Sequence, residues 1–268
     1  MREAYLEQFE RLKKIMEQLR DQCPWDRKQT IQSLRQMTIE ETYELADAIS
    51  TQNWQDIREE LGDLLLHILF YSLIGKEQGQ FTLDEMISGI CEKLIRRHPH
   101  IYGDLQVADD EEVKRNWERI KQDEGKASIL SGLPVSLPAI VKAMRLQEKA
   151  RQVGFEWDNR EQVWDKVQEE STELQEAVRD LDDPAKVADN RARQRVEEEF
   201  GDLMFSLVNY SRFLGVDAEQ AIDRTNRKFI RRFQQMETEA AGMGKRLSAL
   251  SLDEMNEIWN RVKKEEVH

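Results

Sequence analysis

The two halves of this 268-residue chain repeat each other, and that constrains its fold more than any single motif. PWDRKQTI at 24–31 is answered by EWDNREQV at 156–163, and IEETYELADAI at 39–49 by QEESTELQEAV at 168–178. EELGDLLLHILFY at 59–71 is answered by EEFGDLMFSLVNY at 198–210. EKLIRR at 92–97 then matches RKFIRR at 227–232, and NWERIKQDE at 116–124 matches IWNRVKKEE at 258–266. Blocks kept in one order along the whole chain mean a duplicated domain, each copy with its own core. Gly and Pro interrupt the helical pattern in GKASILSGLPVSLP, so the expected organisation is a domain over 1–124, a linker over 125–138 and a domain over 139–268. A shorter break, LDDPAKVADN at 181–190, reads as a loop between two acidic helices of the second copy.

Charged residues make up 35% of the chain, against about 25% in an average protein, while Gly (12) and Pro (5) are scarce. Long solvated helices suit that composition better than sheets, and the expected fold is all-α. A formal charge of -13 argues against a nucleic-acid backbone as partner. The most apolar run, LLLHILFYSLIG at 64–75, is well short of the roughly 20 residues that span a bilayer, so no membrane segment is expected. Two cysteines, Cys23 and Cys91, are too few for a disulfide framework, and the charged amino terminus has no apolar signal core. Both features point to the cytoplasm.

The chemistry concentrates in two acidic helices of each copy. In KVQEESTELQEAV, Val163, Val167, Leu174 and Val178 fall on one side of a 3.6-residue period, and Glu170 falls among them with Glu173 beside it at i,i+3. The next helix is apolar nearly all round, through Phe200, Leu203, Met204, Phe205, Leu207, Val208 and Tyr210. Yet Glu199, Asp202, Ser206 and Asn209 step along it as one polar stripe, and the first copy carries Glu60, Asp63 and His67 on the same face. One acidic pair is ordinary solvated helix surface. Pairs in duplicate, some on nearly all-apolar helices, are not, because Asp and Glu are rarely buried unpartnered. Four carboxylates brought together repel unless cations bind, and all-oxygen donors favour Mg²⁺, with Mn²⁺ as a substitute, over Zn²⁺. Mg²⁺ usually completes its shell with substrate phosphate, which points to a nucleotide.

Lys166 and Arg195 each lie one turn before an acid, and Lys228 and Arg232 form a separate i,i+4 pair; each could hold a phosphate or simply make a helix salt bridge. Trp259 could stack on a base, although a Trp at helical spacing is more often core. Trp25 and Trp157 read as packing residues. GMGK at 242–245 lacks the Gly and Ser/Thr of a phosphate loop and reads as a turn, and HPH at 98–100 reads as a loop. A di-iron bundle needs Glu-x-x-His on two helices, and only Glu265 to His268 has that spacing.

The paired signature EExxE and ExxD, with the CPWD, EETYE, ELGDLL and RRHPH segments, resembles the MazG family of nucleoside triphosphate pyrophosphohydrolases in its two-domain bacterial form. The resemblance covers nearly the whole chain. It implies tandem four-helix-bundle-type domains that dimerise, and Mg²⁺-dependent hydrolysis of NTPs at the α–β bond to NMP and pyrophosphate. By position, it implies metal binding by Glu170, Glu173, Glu199 and Asp202, with Glu169 or Glu170 orienting the attacking water. It also implies nucleotide contacts from Lys166, Arg195, Val196, Glu197, Glu198, Asn226, Lys228, Arg232 and Trp259. Glu41, Glu44, Glu60 and Asp63 would form a second metal site. The first copy has Met37, Asp56 and Cys91 where the second has Lys166, Arg195 and Asn226, so its nucleotide site is expected to be degenerate. The alternative is a regulatory protein that binds nucleotide and Mg²⁺, or a partner, without turnover.

Overall fold

A computed structural model describes residues 2–124, 128–182 and 190–265, and among them there are helices and no strand. The loop expected over 181–190 therefore lies mostly outside the described residues. The chain divides into two compact units, 1–117 and 118–268.

Unit 1 is built from α1 (Arg2–Gln22), α2 (Ile31–Ser50), α3 (Trp54–Glu77), α4 (Leu83–Arg97) and the short α5 (Pro99–Tyr102); α6 (Asp110–Asp123) runs across the division. Local chemistry fixes where these helices start. Thr30 caps α2 in a capping box with Ser33, Asn53 caps α3, and Thr82 caps α4 in a box with Glu85. The α3–α4 turn is tight: a Cβ on Gly75 would lie 2.8 Å from the Phe81 ring, and Gly79 takes φ 65°, where only glycine is unstrained. Met16, Leu34, Leu69, Phe70 and Ile74 make the core. Arg20 ties α1 to α3 by a two-pronged contact with Glu77 (2.8 and 2.7 Å) and donates to the Asp26 and Gln29 carbonyls.

Unit 2 comprises α7 (Ala139–Gln152), α8 (Arg160–Asp182), α9 (Asn190–Phe213), α10 (Ala218–Gly242) and α11 (Leu252–Glu265). α8 and α9 lie side by side, α7 packs on α9, and α10 pairs with α11. Val163, Val167 and Ala177 of α8 and Val208 of α9 are buried, while Met236, Ala240, Leu250, Ile258 and Val262 form a separate cluster between α10 and α11. Part of the segment expected as linker rests on this unit, where Lys149 Nζ donates to Ile129 O at 2.9 Å. GMGK is a turn, with Gly244 at φ 72° and Lys245 N bonded back to Ala240 O.

α9 differs from its sequence pattern. An all-round apolar helix should be central, yet Phe200, Phe205 and Leu207 are exposed, and so is Val178 on α8. A single copy of the chain covers α9 on only part of its circumference.

Candidate active site

EESTE sits at the middle of α8, where the helix faces α9. Glu170 occupies a place on the buried stripe between Val163, Val167 and Ala177, and is 5% exposed. An isolated carboxylate there would be costly, and Lys166 answers it from one turn earlier: its Nζ lies 2.7 Å from Glu170 and 2.8 Å from Glu169. Held between Glu169 and Glu170, the Lys166 ammonium titrates well above the usual lysine range. On α9, Arg195 Nε lies 3.6 Å from Glu199, and its Nη1 donates to Asp180 on α8 at 3.0 Å.

Glu170, Glu199 and Asp202 each bring a carboxylate oxygen into one group within 4.8 Å. Glu173 lies outside that group but feels it. Burial first, and then the charges of Glu170 and Glu199, push its carboxyl above the usual carboxylate range. Two carboxylates from α9, one buried carboxylate from α8, no thiolate and no imidazole make a hard, oxygen-only donor set, which fits a divalent cation such as Mg²⁺.

The cluster opens into a cavity of about 790 Å³, within the roughly 300–1,000 Å³ of small-molecule sites. Lys166, Glu170 and Asp202 line one part of it; Leu146, Ala150, Phe155, Trp157 and Phe205 give it apolar walls. Arg212 reaches across to Glu156, its Nη2 donating to Oε1 at 2.7 Å and to Asn209 Oδ1 at 2.8 Å.

The other residues named from sequence lie apart from this lining. Val196 is half-buried and Glu197 and Glu198 are exposed on α9, Glu198 accepting from Gln194 at 3.0 Å. Asn226 and Lys228 are exposed on α10. Arg232 places its guanidinium 5.6 Å over Trp259, whose ring also meets Phe229 at 5.4 Å. Trp157, by contrast, is not interior packing: it lines the cavity and is 43% exposed. Gln147 is a lining residue that the sequence reading passed over. Its signal was present, since Ala143, Leu146 and Ala150 mark the inward stripe of α7 and Gln147 stands on that stripe.

Unit 1 repeats the acids without the cations. Glu41, Glu44 and Glu60 group within 4.8 Å. Burial raises the Glu41 and Glu60 carboxyls, helped at Glu41 by Asp63 and at Glu60 by a hydrogen bond with Glu41. Met37, at the place of Lys166, packs on the core. Asp56, at the place of Arg195, is held by Asn53 Nδ2 at 2.6 Å. His67, at the place of Ser206, is buried, 3.2 Å from Thr38 Oγ1, and burial lowers its pKa.

Comparison with known proteins agrees with this duplicated arrangement. A sequence profile described as "MazG nucleotide pyrophosphohydrolase domain" matches residues 29–102 and again 159–236. The nucleoside triphosphate pyrophosphohydrolase of Escherichia coli K12 is 40% identical over 98% of this chain and 99% of its own. The nucleoside triphosphate pyrophosphohydrolase/pyrophosphatase MazG of Thermotoga maritima is 44% identical over 95% of each chain. A solved structure, that of a mazG-related protein from Thermotoga maritima, is 27% identical over 42% of this chain and 98% of its own, with a TM-score of 0.38. Carrying two copies of that domain over more than half its length, the chain belongs to the MazG nucleotide pyrophosphohydrolase family.

Proposed function

We propose that the chain hydrolyses nucleoside triphosphates, ATP among them, at the α–β bond, releasing nucleoside monophosphate and pyrophosphate, with unit 2 carrying the turnover. The observation that carries this reading is the buried Glu170, set with Glu199 and Asp202 against a cavity large enough for a nucleotide. The names of relatives matched over nearly their whole length support the reaction.

Glu170, Glu199 and Asp202 would hold Mg²⁺, with Glu173 beside them. When bound, the ion supplies a Lewis acid for the phosphoryl oxygens and a water of lowered pKa. The remaining tasks fall to side chains of this protein. Glu169, exposed and paired with Lys166, orients the attacking water. The water oxygen bonds to the α-phosphorus, the bond from that phosphorus to the α–β bridging oxygen breaks, and a carboxylate takes up the water proton. Lys166 and Arg195 offset charge on the phosphates, and Lys228 and Arg232 on α10 are assigned to the departing pyrophosphate.

The working form is a homodimer. The exposed Phe200 and Leu207 of α9 and Ile222, Phe229, Ile230 and Phe233 of α10 give a second copy apolar surface to cover. The free thiols of Cys23 and Cys91 suit the reducing cytoplasm. Among the described residues no helix is long and apolar enough to cross a membrane.

Anion-exchange analysis of NTPs and dNTPs incubated with the protein tests the reading. NMP and pyrophosphate formed with Mg²⁺ and not with EDTA are expected. Nucleoside diphosphate and phosphate would move the cleaved bond, and intact nucleotide bound to folded protein would favour a sensor.

A further inference from the structure

Lys149 is a buried lysine that the hydrolytic reading leaves unused. It stands in the last turn of α7, where a lysine ordinarily keeps its ammonium in water near the free carbonyls of the helix end. Here the residue is 7% exposed, and Nζ donates to Ile129 O at 2.9 Å, a main-chain carbonyl outside the helix and 20 residues back along the chain. An ammonium at that depth is costly unless it is hydrogen-bonded, and an apolar side chain of similar volume would pack there at least as well. What the contact holds in place accounts for it.

Ile129 belongs to residues 128–138, a stretch with neither helix nor strand in which no residue is buried. Its internal backbone bonds are local, from Ser131 N to Ser128 O at 2.9 Å and from Leu137 N to Pro134 O at 3.3 Å. A second lysine of α7, Lys142, donates from Nζ to Val135 O at 2.6 Å, and Val135 itself is 91% exposed. A segment with no buried side chain and only local backbone bonds opens at little cost. Yet Leu130, next to the Lys149 contact, lines the cavity that Lys166, Glu170 and Asp202 also line. One wall of the substrate cavity is thus a loosely packed stretch of chain, with two lysines of α7 on its carbonyls.

Resting on the nucleotide reading of this cavity, we propose that residues 128–138 form a strap that opens to admit the nucleotide and seats against it, with Lys149 as the latch. Lys149 is then a positioning residue: it acts on the substrate through Ile129 and Leu130 and takes no part in bond cleavage. Nucleotide in the cavity meets Leu130 only while the strap is seated, so binding shifts the strap toward the seated state.

Brief chymotrypsin treatment of the full chain reads the strap directly, because Leu130 precedes Ser131, whereas Leu133 and Leu137 precede prolines and resist cleavage. Mass spectrometry follows the cut after Leu130, with the cut after Leu252, 70% exposed at the start of α11 and outside the cavity lining, as the control. Slow cleavage tracks the population of the open strap. With Mg²⁺ and an ATP analogue carrying a methylene at the α–β bridge, the cut after Leu130 should slow several-fold and the cut after Leu252 should not change. In Lys149→Met without nucleotide, the cut after Leu130 should speed about 10-fold or more, the size of one hydrogen bond from a charged donor. No slowing at Leu130, equal slowing at both sites, or an unchanged rate in Lys149→Met each overturns the strap. Should Lys149→Met fail to fold, Leu130→Ser decides: KM for ATP should rise about 5-fold with kcat retained, the scale of part of one leucine's apolar contact, and an unchanged KM overturns the proposal. ATP turnover by the unsubstituted protein is measured alongside; its absence fails the hydrolytic reading alone, and protection by the analogue still judges the strap.

Discussion

Replacing Lys166 with Met should destabilise the metal-free protein and do so much less once Mg²⁺ is present. Lys166 Nζ is 2.7 Å from Glu170, whose side chain is 7% exposed against 34% for the lysine. Removing one partner of a fully buried pair costs about 3–5 kcal/mol, and an exposed pair contributes about 0–1 kcal/mol. With one partner buried and the other about a third exposed, roughly 2 kcal/mol is reasonable after solvent screening. For a unit of this size that lowers Tm by about 4–8 °C. Met keeps the unbranched stem, so most of the loss reports the missing charge. If Glu170, Glu199 and Asp202 hold a divalent cation, that ion gives Glu170 a new counter-charge, and the deficit should at least halve with saturating Mg²⁺. Calorimetric melts with EDTA and with Mg²⁺ make the comparison. An equal deficit in both, or no deficit without metal, would refute the role given to this pair.

Arg20→Met should loosen unit 1 alone. It removes a two-pronged contact to Glu77 and the bonds to Asp26 and Gln29; because Glu77 is 46% exposed, the loss should be about 1–2 kcal/mol. Denaturant melts should register this while NTP turnover stays unchanged. The metal-free protein should also show carboxylate repulsion in its pH dependence. The Glu173 carboxyl has a folded pKa above its unfolded one, so its favourable contribution is full below the unfolded value and is lost as pH rises through the folded value. Glu173→Gln should therefore melt higher than the unsubstituted protein at pH 7 in EDTA, with the gap closing in acid. A lower melt at pH 7 in EDTA would contradict the raised pKa.

The duplication and the acidic centre were legible because both are periodic. Five paired blocks mark the repeat, and Glu170 stands out as an acid where a helical stripe calls for an apolar side chain. The grouping of Glu170 with Glu199 and Asp202 follows from two such helices packing face to face. Trp157 was harder, since an aromatic after a short break fits either a core or a cavity mouth, and only the packing of α7 against α9 decides. Gln147 bears the same signature as Glu170, a polar residue on an apolar stripe, but an uncharged amide is a weaker alarm than a carboxylate. The exposed apolar face of α9 could not be foreseen from periodicity, because a helix apolar all round looks the same whether its own chain or another covers it.

The most direct measurement is pyrophosphate release from ATP with Mg²⁺ by the full chain, comparing Glu170→Gln with the pair Glu41→Gln and Glu44→Gln, each shown to be folded. Glu170→Gln should lose about 100-fold or more, the scale of losing one preorganised group at a site of developing charge. The unit 1 pair should keep most of the turnover. Collapse of activity in the unit 1 pair, with Glu170→Gln still active, would contradict the assignment of catalysis to unit 2.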